Sequence, residues 1–77
     1  MKAKIYTKVG CPYCTRAKQM LADKDVEFEE IVLSDAAEFE KLKQETNHMT
    51  VPQVFIDGEF IGGSDDLEDW FNKKEKD

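Results

Sequence analysis

The sequence predicts a small α/β protein in which three helices pack on a four-stranded mixed sheet, in the order β-α-β-α-β-β-α. Three observations predict this fold. An alternating N-terminal run precedes a helical pattern and a β-rich run, two short apolar runs flank a turn signal, and amphipathic helical patterns fill the remaining chain. A chain of 77 residues has room for one core and one site, so we expect a single domain over residues 1–77.

The composition is that of an ordinary globular protein, with 40% hydrophobic and 36% charged residues. The formal net charge of −6 argues against nucleic-acid and anionic-membrane partners, because neither phosphate nor acidic lipid attracts a protein of that sign. The N-terminus has no apolar run long enough for a signal peptide or a membrane span. We therefore expect a cytoplasmic protein, and we expect it to be a monomer.

The first strand and helix place two cysteines at a helix start. Residues 2–8 alternate as a strand does, and the helix is predicted over residues 12–23. Pro12 suits its first position because the N–H that proline lacks would be unpaired there. Cys14 falls on the apolar stripe of this helix, whereas Cys11 lies outside it, at the cap. The spacing thus predicts an exposed sulfur at the positive end of the helix dipole and a shielded sulfur further in.

The next β-rich run covers residues 26–33, and its late apolar residues are typical of a strand covered on both faces. The length of the crossover predicts that it lies parallel to the first strand. A second helix is predicted over residues 34–47, with Asp35 as N-cap and Asn47 as left-handed stop. Its apolar face is thin, so we expect it to lie half exposed on the surface of the sheet.

The last part of the chain is predicted to form a hairpin and a helix. Asp57-Gly58 between two short apolar runs is the strongest short-range hairpin signal. Ser64 or Asp65 is predicted to cap the final helix, with acids in its first turn and lysines in its last. Its buried stripe is predicted to consist of Leu67, Trp70 and Phe71. Helices are expected on both faces of the sheet.

The two cysteines suit redox chemistry better than a structural role. A disulfide between Cys11 and Cys14 closes a very small loop, so it restrains the unfolded chain little. A structural zinc site usually takes four protein ligands, and two thiols with the distant His48 do not supply them, so we expect no metal. A Cys-x-x-Cys pair near a strand–helix–strand pattern indicates thiol–disulfide exchange.

Three blocks in register, CPYC at residues 11–14, TVPQVFIDGEFIGG at 50–63 and SDD at 64–66, resemble glutaredoxins of the dithiol CPYC type. The likeness covers nearly the whole chain and places it in the thioredoxin-like superfamily. It implies an enzyme of cell redox homeostasis and electron transport that reduces glutathione mixed disulfides and protein disulfides, with glutathione as electron donor. Its implied partners are glutathione and glutathionylated or disulfide-containing proteins.

The two sulfurs are predicted to have different roles at this redox-active centre. Only a thiolate attacks a disulfide sulfur, and the unpaired N–H groups of the helix start, reinforced by Lys8 and Arg16, favour the thiolate of Cys11. Cys11 is therefore the predicted nucleophile. Cys14 is the predicted resolving thiol, which attacks a mixed disulfide on Cys11, forms the Cys11–Cys14 disulfide bond and releases a dithiol substrate.

The resemblance also implies a glutathione site. It assigns Tyr13 to the flank of the bound sulfur, a position where tyrosine could equally be plain surface. It assigns Thr50, Val51 and Pro52 to a segment whose valine backbone pairs, strand-like, with the cysteinyl unit of glutathione. The residue before a proline is held extended with its N–H and C=O free for a ligand, and Pro52 is a candidate for a cis peptide bond.

The two ends of glutathione are assigned to other parts of the chain. Gly63, Ser64 and Asp65 resemble the loop that takes the γ-glutamyl end, where helix N–H groups bind a carboxylate and an aspartate meets the ammonium group. Lys8 and Gln44 resemble side chains that meet the glycine carboxylate. The basic residue that the family places shortly before Thr-Val-Pro is replaced by the run NHMT, in which either His48 substitutes for it or the contact is missing.

Two other functions remain open at the level of sequence. An iron–sulfur carrier would share a cluster between two chains through Cys11 and two glutathione thiols, but such family members tend to have small residues in place of Pro12-Tyr13. A thioredoxin-like electron donor would be reduced by a flavoprotein reductase. The CPYC and SDD blocks oppose this second alternative, and the incomplete set of contacts for the glycine carboxylate keeps it open.

Overall fold

The computed structural model describes residues 2–76. Its elements are β1 (Lys2–Thr7), α1 (Pro12–Asp23), β2 (Glu27–Val32), α2 (Ala36–Thr46), β3 (Gln53–Ile56), β4 (Glu59–Gly62) and α3 (Ser64–Lys76). Together they form the predicted order around one four-stranded mixed sheet, and the predicted fold class is therefore confirmed. Within the described residues, none of the helices combines the length and the apolar character that crossing a membrane requires.

The strands lie in the order β2-β1-β3-β4. β1 is parallel to β2, as the crossover through α1 predicts, and antiparallel to β3, which is in turn antiparallel to β4. The hairpin turn has positive φ at both central residues, 51° at Asp57 and 85° at Gly58. Two-residue hairpin turns of this hand match the right-handed twist of the strands, and the predicted hairpin is confirmed.

The prediction that β2 is covered on both faces is wrong. β2 lies at an edge of the sheet, with β1 as its only neighbouring strand among the described elements. Side chains of successive strand residues point to opposite faces, so Ile31, Val32 and Leu33 could all be buried only if both faces of this edge strand were covered. Leu33, just beyond the strand, is buried, Ile31 is half-buried, and Val32 is 47% exposed.

The main hydrophobic core lies between one face of the sheet and helices α1 and α3. It comprises Ala3, Ile5, Ala17, Leu21, Val26, Val54, Ile56, Leu67 and Phe71. Trp70 is half-buried against this core, so the predicted α3 stripe is present with one partly exposed member. On the opposite face, Leu42 of α2 is buried and shares a groove with Tyr6 and Phe55 of the sheet.

Helix ends follow the predicted caps in two helices and depart from them in the third. Asp35 accepts a hydrogen bond from the N–H of Ala37 at 2.9 Å, and Asn47 adopts the left-handed conformation with φ 58°. α3, however, begins at residue 64, so the predicted caps Ser64 and Asp65 already lie inside the helix.

Gly63 is the residue that caps α3. Its carbonyl accepts the first helical hydrogen bond, from the N–H of Leu67 at 2.9 Å. A carboxylate oxygen of Asp66 accepts from the N–H of Gly63 at 3.1 Å, which is the reaching-back half of a capping box. The prediction of Ser64 or Asp65 as cap is wrong. The carboxylate of Asp66 bonds the N–H of Gly63, so the helix starts one or two residues earlier than predicted.

Candidate active site

Cys11 stands between the loop that leaves β1 and the first turn of α1. It is the N-cap of α1 in an extended conformation, and its sulfur accepts a hydrogen bond from the N–H of Cys14 at 3.3 Å. The thiol is free and half-buried. A helix start supplies partial positive charge and N–H donors to a group in this position, and both stabilise a thiolate.

Cys14 occupies a different environment one turn further along α1. Its side chain is 2% exposed, and its thiol is free. Burial, and after it the hydrogen bond with Cys11, raise the pKa of Cys14 to about 12. The backbone of Lys8 and the charge of Lys18 act in the opposite direction and only partly offset this rise in the pKa of Cys14. Cys14 is therefore a neutral thiol near pH 7, as its place on the apolar stripe predicts.

The segment before β3 approaches the sulfur of Cys11. The Val51-Pro52 peptide bond is cis, which confirms the prediction for Pro52. The thiol of Cys11 points toward the carbonyl oxygen of Val51, with 3.8 Å between sulfur and oxygen. Pro52 is buried, whereas Val51 is half-buried and borders a groove. A ligand strand paired with the backbone of Val51 would thus lie beside the reactive sulfur.

A groove of about 390 Å³ runs past Val51 and joins separate parts of the chain. This Val51 groove is lined by Tyr13, His48 and residues 50–52 and 63–66. The predicted glutathione residues that it brings together are Tyr13, Thr50, Val51, Pro52, Gly63, Ser64 and Asp65. The start of α1, the loop before β3 and the start of α3 therefore converge on one concave surface.

Lys8 and Gln44 do not line the Val51 groove. The ammonium group of Lys8 lies 3.9 Å from the ring centroid of Phe39 on α2. Lys8 lines a second groove, of about 560 Å³, together with Cys11, Cys14 and Lys18. Gln44 is exposed on α2 and lines neither groove. The two side chains assigned to the glycine carboxylate thus lie outside the groove that gathers the other residues assigned to glutathione, although Lys8 lines the same groove as the two cysteines.

His48 lies inside the Val51 groove at the end that adjoins α3. Its Nε2 atom is 3.3 Å from the hydroxyl oxygen of Thr50, and its ring packs edge-on against Phe60 with 5.7 Å between centroids. A methyl group added at Gly63 would come within 3.4 Å of Nε2, so the ring sits close to the backbone of the α3 cap. The histidine is a groove residue rather than an isolated surface residue.

The acidic start of α3 has two carboxylates with different surroundings. Asp66 bonds the cap residue Gly63, as described above, and sequence reasoning did not single it out, although its spacing from the glycine is that of a capping box. Asp65 is 87% exposed and lies 3.6 Å from the guanidinium group of Arg16. Arg16 approaches Glu68 more closely, at 2.6 Å. Arg16, expected to reinforce the Cys11 thiolate, instead pairs with α3.

A buried hydroxyl and an ion pair border the second groove, on the side of Cys14. Glu30 accepts hydrogen bonds from Lys18 at 3.0 Å and from the buried hydroxyl of Thr7 at 2.8 Å. These two bonds, the one from Lys18 being the stronger influence, hold the pKa of Glu30 below its ordinary value. Sequence reasoning missed Glu30, because a glutamate in a run of glutamates carries no local mark of its partner across the sheet.

No group of three or more His, Cys, Asp or Glu side chains among residues 2–76 is arranged to hold a metal ion. The chemistry that the described arrangement offers is that of the two thiols. The Cys11 sulfur, at a helix start and open to a groove, is suited to attack a disulfide. The thiol of Cys14, the residue whose backbone N–H bonds that sulfur, is suited to displace the product.

Comparisons with known proteins agree with this chemistry. The glutaredoxin family model matches residues 3–61. The chain is 50% identical over 64 residues to glutaredoxin 3 of Escherichia coli K12, covering 82% of this chain and 77% of that protein. It is 54% identical over 67 residues to the hybrid peroxiredoxin hyPrx5 of Haemophilus influenzae, covering 87% of this chain but only 28% of that protein.

A solved structure shares the fold. The buckwheat glutaredoxin–glutathione complex superposes with a TM-score of 0.87 at 30% identity, over 94% of this chain and 69% of that one. The fold is therefore thioredoxin-like, and the family match supports a thiol–disulfide oxidoreductase.

Proposed function

The chain belongs to the glutaredoxin family, and we propose that it reduces glutathione mixed disulfides and protein disulfides with glutathione as its electron donor. The observation that carries this proposal is the placement of Cys11 against Val51. The sulfur lies 3.8 Å from the Val51 carbonyl oxygen, at the side of a groove that also reaches the start of α3. One extended tripeptide with a central cysteine fits the chemistry of that groove.

The simpler reaction uses Cys11 alone. The Cys11 thiolate attacks the glutathione sulfur of a mixed disulfide, so a bond forms between the two sulfurs and the substrate leaves as its thiolate. A second glutathione, as thiolate, attacks the glutathione sulfur on Cys11. This step forms oxidised glutathione and regenerates the Cys11 thiolate, which the helix start and the N–H of Cys14 stabilise as leaving group.

Protein disulfides require both sulfurs. Cys11 attacks one sulfur of the substrate disulfide and becomes joined to the protein, while the other substrate sulfur leaves as a thiolate. Cys14 then loses its proton to that thiolate or to solvent and attacks the Cys11 sulfur, which forms the Cys11–Cys14 disulfide and releases the dithiol. Two glutathione molecules return the enzyme disulfide to two thiols and leave as oxidised glutathione.

We assign two of the three parts of glutathione, the cysteinyl unit and the γ-glutamyl end, to residues of the Val51 groove. The N–H and C=O of Val51 pair with the cysteinyl unit and direct its sulfur at Cys11. The free N–H groups at the start of α3, near Ser64, bind the γ-glutamyl carboxylate, and Asp65 meets the ammonium group. Tyr13 borders the bound sulfur. A reducing compartment such as the cytoplasm, where we place the protein, supplies reduced glutathione.

A coupled assay tests the electron donor. The substrate is a glutathionylated peptide, and NADPH consumption is followed either with glutathione and glutathione reductase or with thioredoxin reductase alone. We expect turnover only in the first mixture. Neither Lys8 nor Gln44 lines the Val51 groove, so a flavoprotein reductase is the rival electron donor that this assay must test. Turnover with thioredoxin reductase and none with glutathione would establish that rival and overturn the proposal.

Substitution of each cysteine tests the two reaction routes. Cys11→Ser should abolish reduction of both substrates, because the remaining thiol, Cys14, is buried and its pKa is raised to about 12. Cys14→Ser should retain reduction of the glutathionylated peptide and lose turnover on a protein disulfide. Initial rates on the two substrates distinguish these results. Equal losses on the glutathionylated peptide in both variants would contradict the assigned roles.

A further inference from the structure

Gln53 is the first residue of β3, and its polar side chain has no exposed surface. It lies opposite Tyr6 of β1, on the sheet face that carries α2. A buried amide is unfavourable unless its polar atoms find partners. The partners of Gln53 therefore indicate what its burial stabilises.

The amide group of Gln53 makes three hydrogen bonds to the chain that precedes β3. Its nitrogen donates to the carbonyl oxygen of His48 at 2.6 Å and to that of Thr50 at 3.2 Å. Its oxygen accepts from the hydroxyl of Thr46 at 2.8 Å. The reverse orientation of the amide would set its oxygen against two carbonyl oxygens, so the surroundings determine this orientation.

These bonds hold a segment that has no regular secondary structure of its own. Residues 48–50 connect the end of α2 to Val51 and belong to no helix or strand. The hydroxyl of Thr46 also accepts from the N–H of His48 at 3.2 Å, so the beginning of the segment is attached to the same cluster. The amide nitrogen of Gln53 thus bonds the carbonyl oxygens of the two residues that flank Met49, whose side chain is 62% exposed.

The segment that Gln53 holds forms one wall of the Val51 groove. His48 and Thr50 line that groove, and the next residue is Val51, whose carbonyl faces the sulfur of Cys11. Gln53 itself does not line the groove. Its influence on a bound tripeptide therefore acts through the backbone that it anchors.

We propose that Gln53 is a positioning residue that sets the affinity of the Val51 groove for glutathione by fixing the backbone of residues 48–51. The proposal rests on the proposed function, because it names a determinant of that same site. An extended ligand pairs with backbone groups only where these are already held in the paired geometry. Without Gln53, part of the binding free energy would be used to order the segment.

Replacement of Gln53 by methionine tests the proposal. Gln53→Met keeps the length of the side chain and removes all three hydrogen bonds. We expect the KM for glutathione to rise roughly tenfold, the effect of losing one or two net hydrogen bonds, while kcat falls less. The rate at which Cys11 reacts with a small neutral disulfide should change less than about twofold, because that disulfide does not use the groove.

Gln19→Met is the matched control, because Gln19 is an exposed glutamine on α1 that bonds only Asp23 among the contacts described. It should leave both rates unchanged. An unchanged KM in a folded Gln53→Met protein would overturn the inference. Equal losses in the glutathione and small-disulfide reactions would also overturn it, because they indicate a purely structural role. Absence of glutathione-dependent turnover in the wild type would instead overturn the proposed function.

A measurement on the wild type covers the case in which Gln53→Met does not fold. The side-chain amide protons of Gln53 should exchange slowly with solvent, and more slowly when Cys11 carries glutathione, because the ligand then restrains the segment that Gln53 holds. Hydrogen exchange followed by nuclear magnetic resonance gives both rates. Rates that are fast, or that do not change on glutathionylation, would contradict the inference.

Discussion

Two sulfurs separated by one turn of α1 differ in exposure and in hydrogen bonding. Cys11 is half-buried at the N-cap, whereas Cys14 is 2% exposed among apolar side chains. The first turn of α1 brings the N–H of Cys14 to the Cys11 sulfur and also places the Cys14 side chain out of contact with water. The proposed roles of Cys11 as nucleophile and Cys14 as resolving thiol follow from the position of each residue relative to one helix start.

Alkylation with iodoacetamide should reveal this difference. At pH 7 to 8 Cys11 should react first, and Cys14 should stay unmodified because burial and the hydrogen bond with Cys11 raise its pKa to about 12. In Cys11→Ser, the Cys14 rate should rise about tenfold per pH unit up to pH 10 without levelling off. Mass spectrometry of the modified chains measures both rates, with the urea-unfolded protein as control. A plateau near pH 8.5, as for a free thiol, would show that burial does not protect Cys14.

Asp65→Asn separates glutathione recognition from thiol chemistry. Asp65 is 87% exposed and does not cap α3, so the unfolding midpoint should stay within about 2 °C of the wild type. Loss of the charge should lower glutathione-dependent turnover about threefold to fivefold, because an exposed ion pair contributes modestly. Reaction of Cys11 with a small neutral disulfide should be unaffected.

Asp69→Asn is the control for this comparison, since Asp69 is an exposed acid on α3 outside the Val51 groove. Steady-state kinetics with glutathione and single-turnover rates with the neutral disulfide give the two readouts. If both reactions decreased together in Asp65→Asn, or neither did, the γ-glutamyl end would have been assigned to the wrong carboxylate.

At the scale of elements, one ion pair joins α1 to the edge strand β2. Lys18 of α1 and the hydroxyl of Thr7 on β1 both bond the same oxygen of Glu30. This arrangement fastens the outer strand to the helix that carries both cysteines. It also gives the junction a dependence on pH, because only the ionised carboxylate makes the pair.

Glu30→Gln should reduce the free energy of unfolding by about 0.5–1 kcal/mol at pH 7. The folded state lowers the pKa of Glu30, so the stabilisation is present above the ordinary glutamate value and is lost as pH falls through the lower folded value. The difference between wild type and variant should therefore shrink from pH 6 to pH 3. Urea unfolding at each pH measures it, with Glu29→Gln on the same strand as control. A difference that stays constant or grows toward pH 3 would contradict the assignment.

At the scale of the whole molecule, one hydrophobic core includes residues of α1, whose start holds the two cysteines, and of α3, whose start lines the Val51 groove. Leu67 of α3 is fully buried in the cluster with Ala17 and Leu21 of α1. Because the start of α3 also lines the Val51 groove, the packing of these helices sets the distance across the site. Core packing and the shape of the candidate site are thus linked.

Leu67→Ala should destabilise the protein by about 2–5 kcal/mol through the lost apolar contacts and the cavity left behind.

The prediction of a single domain requires one cooperative transition, because the main core is shared by the sheet, α1 and α3. Trp70 fluorescence reports on packing next to Phe71, whose ring centroid is 5.2 Å away, and far-UV circular dichroism reports on the backbone. Separate midpoints for the two signals in the wild type would contradict a single domain.

Local patterns in the sequence were sufficient to predict the elements and their order. The extent of α1, the burial of Cys14, the Asp57-Gly58 turn and the caps Asp35 and Asn47 depend on residues close together in the chain. Their physical causes, backbone hydrogen bonding, side-chain periodicity and allowed φ values, act over a few residues. Such features can be predicted from the sequence because their energetics are local.

Most residues of the Val51 groove were also predicted, but through resemblance to a family, and Asp66 was missed. Their convergence is a property of the tertiary structure. Only the packed chain shows that Gln53 is buried against the loop before Val51, that Arg16 pairs with α3, and that Lys8 rests on Phe39. The edge position of β2 likewise depended on which strand became its neighbour. The contacts of Arg16, Lys8 and β2 join residues far apart in the chain. The bonds of Gln53 span only three to seven residues, but they depend on how an irregular loop folds back on β3. Long charged and polar side chains can pair with several partners, and only the folded arrangement of strands and helices brings one of them within reach.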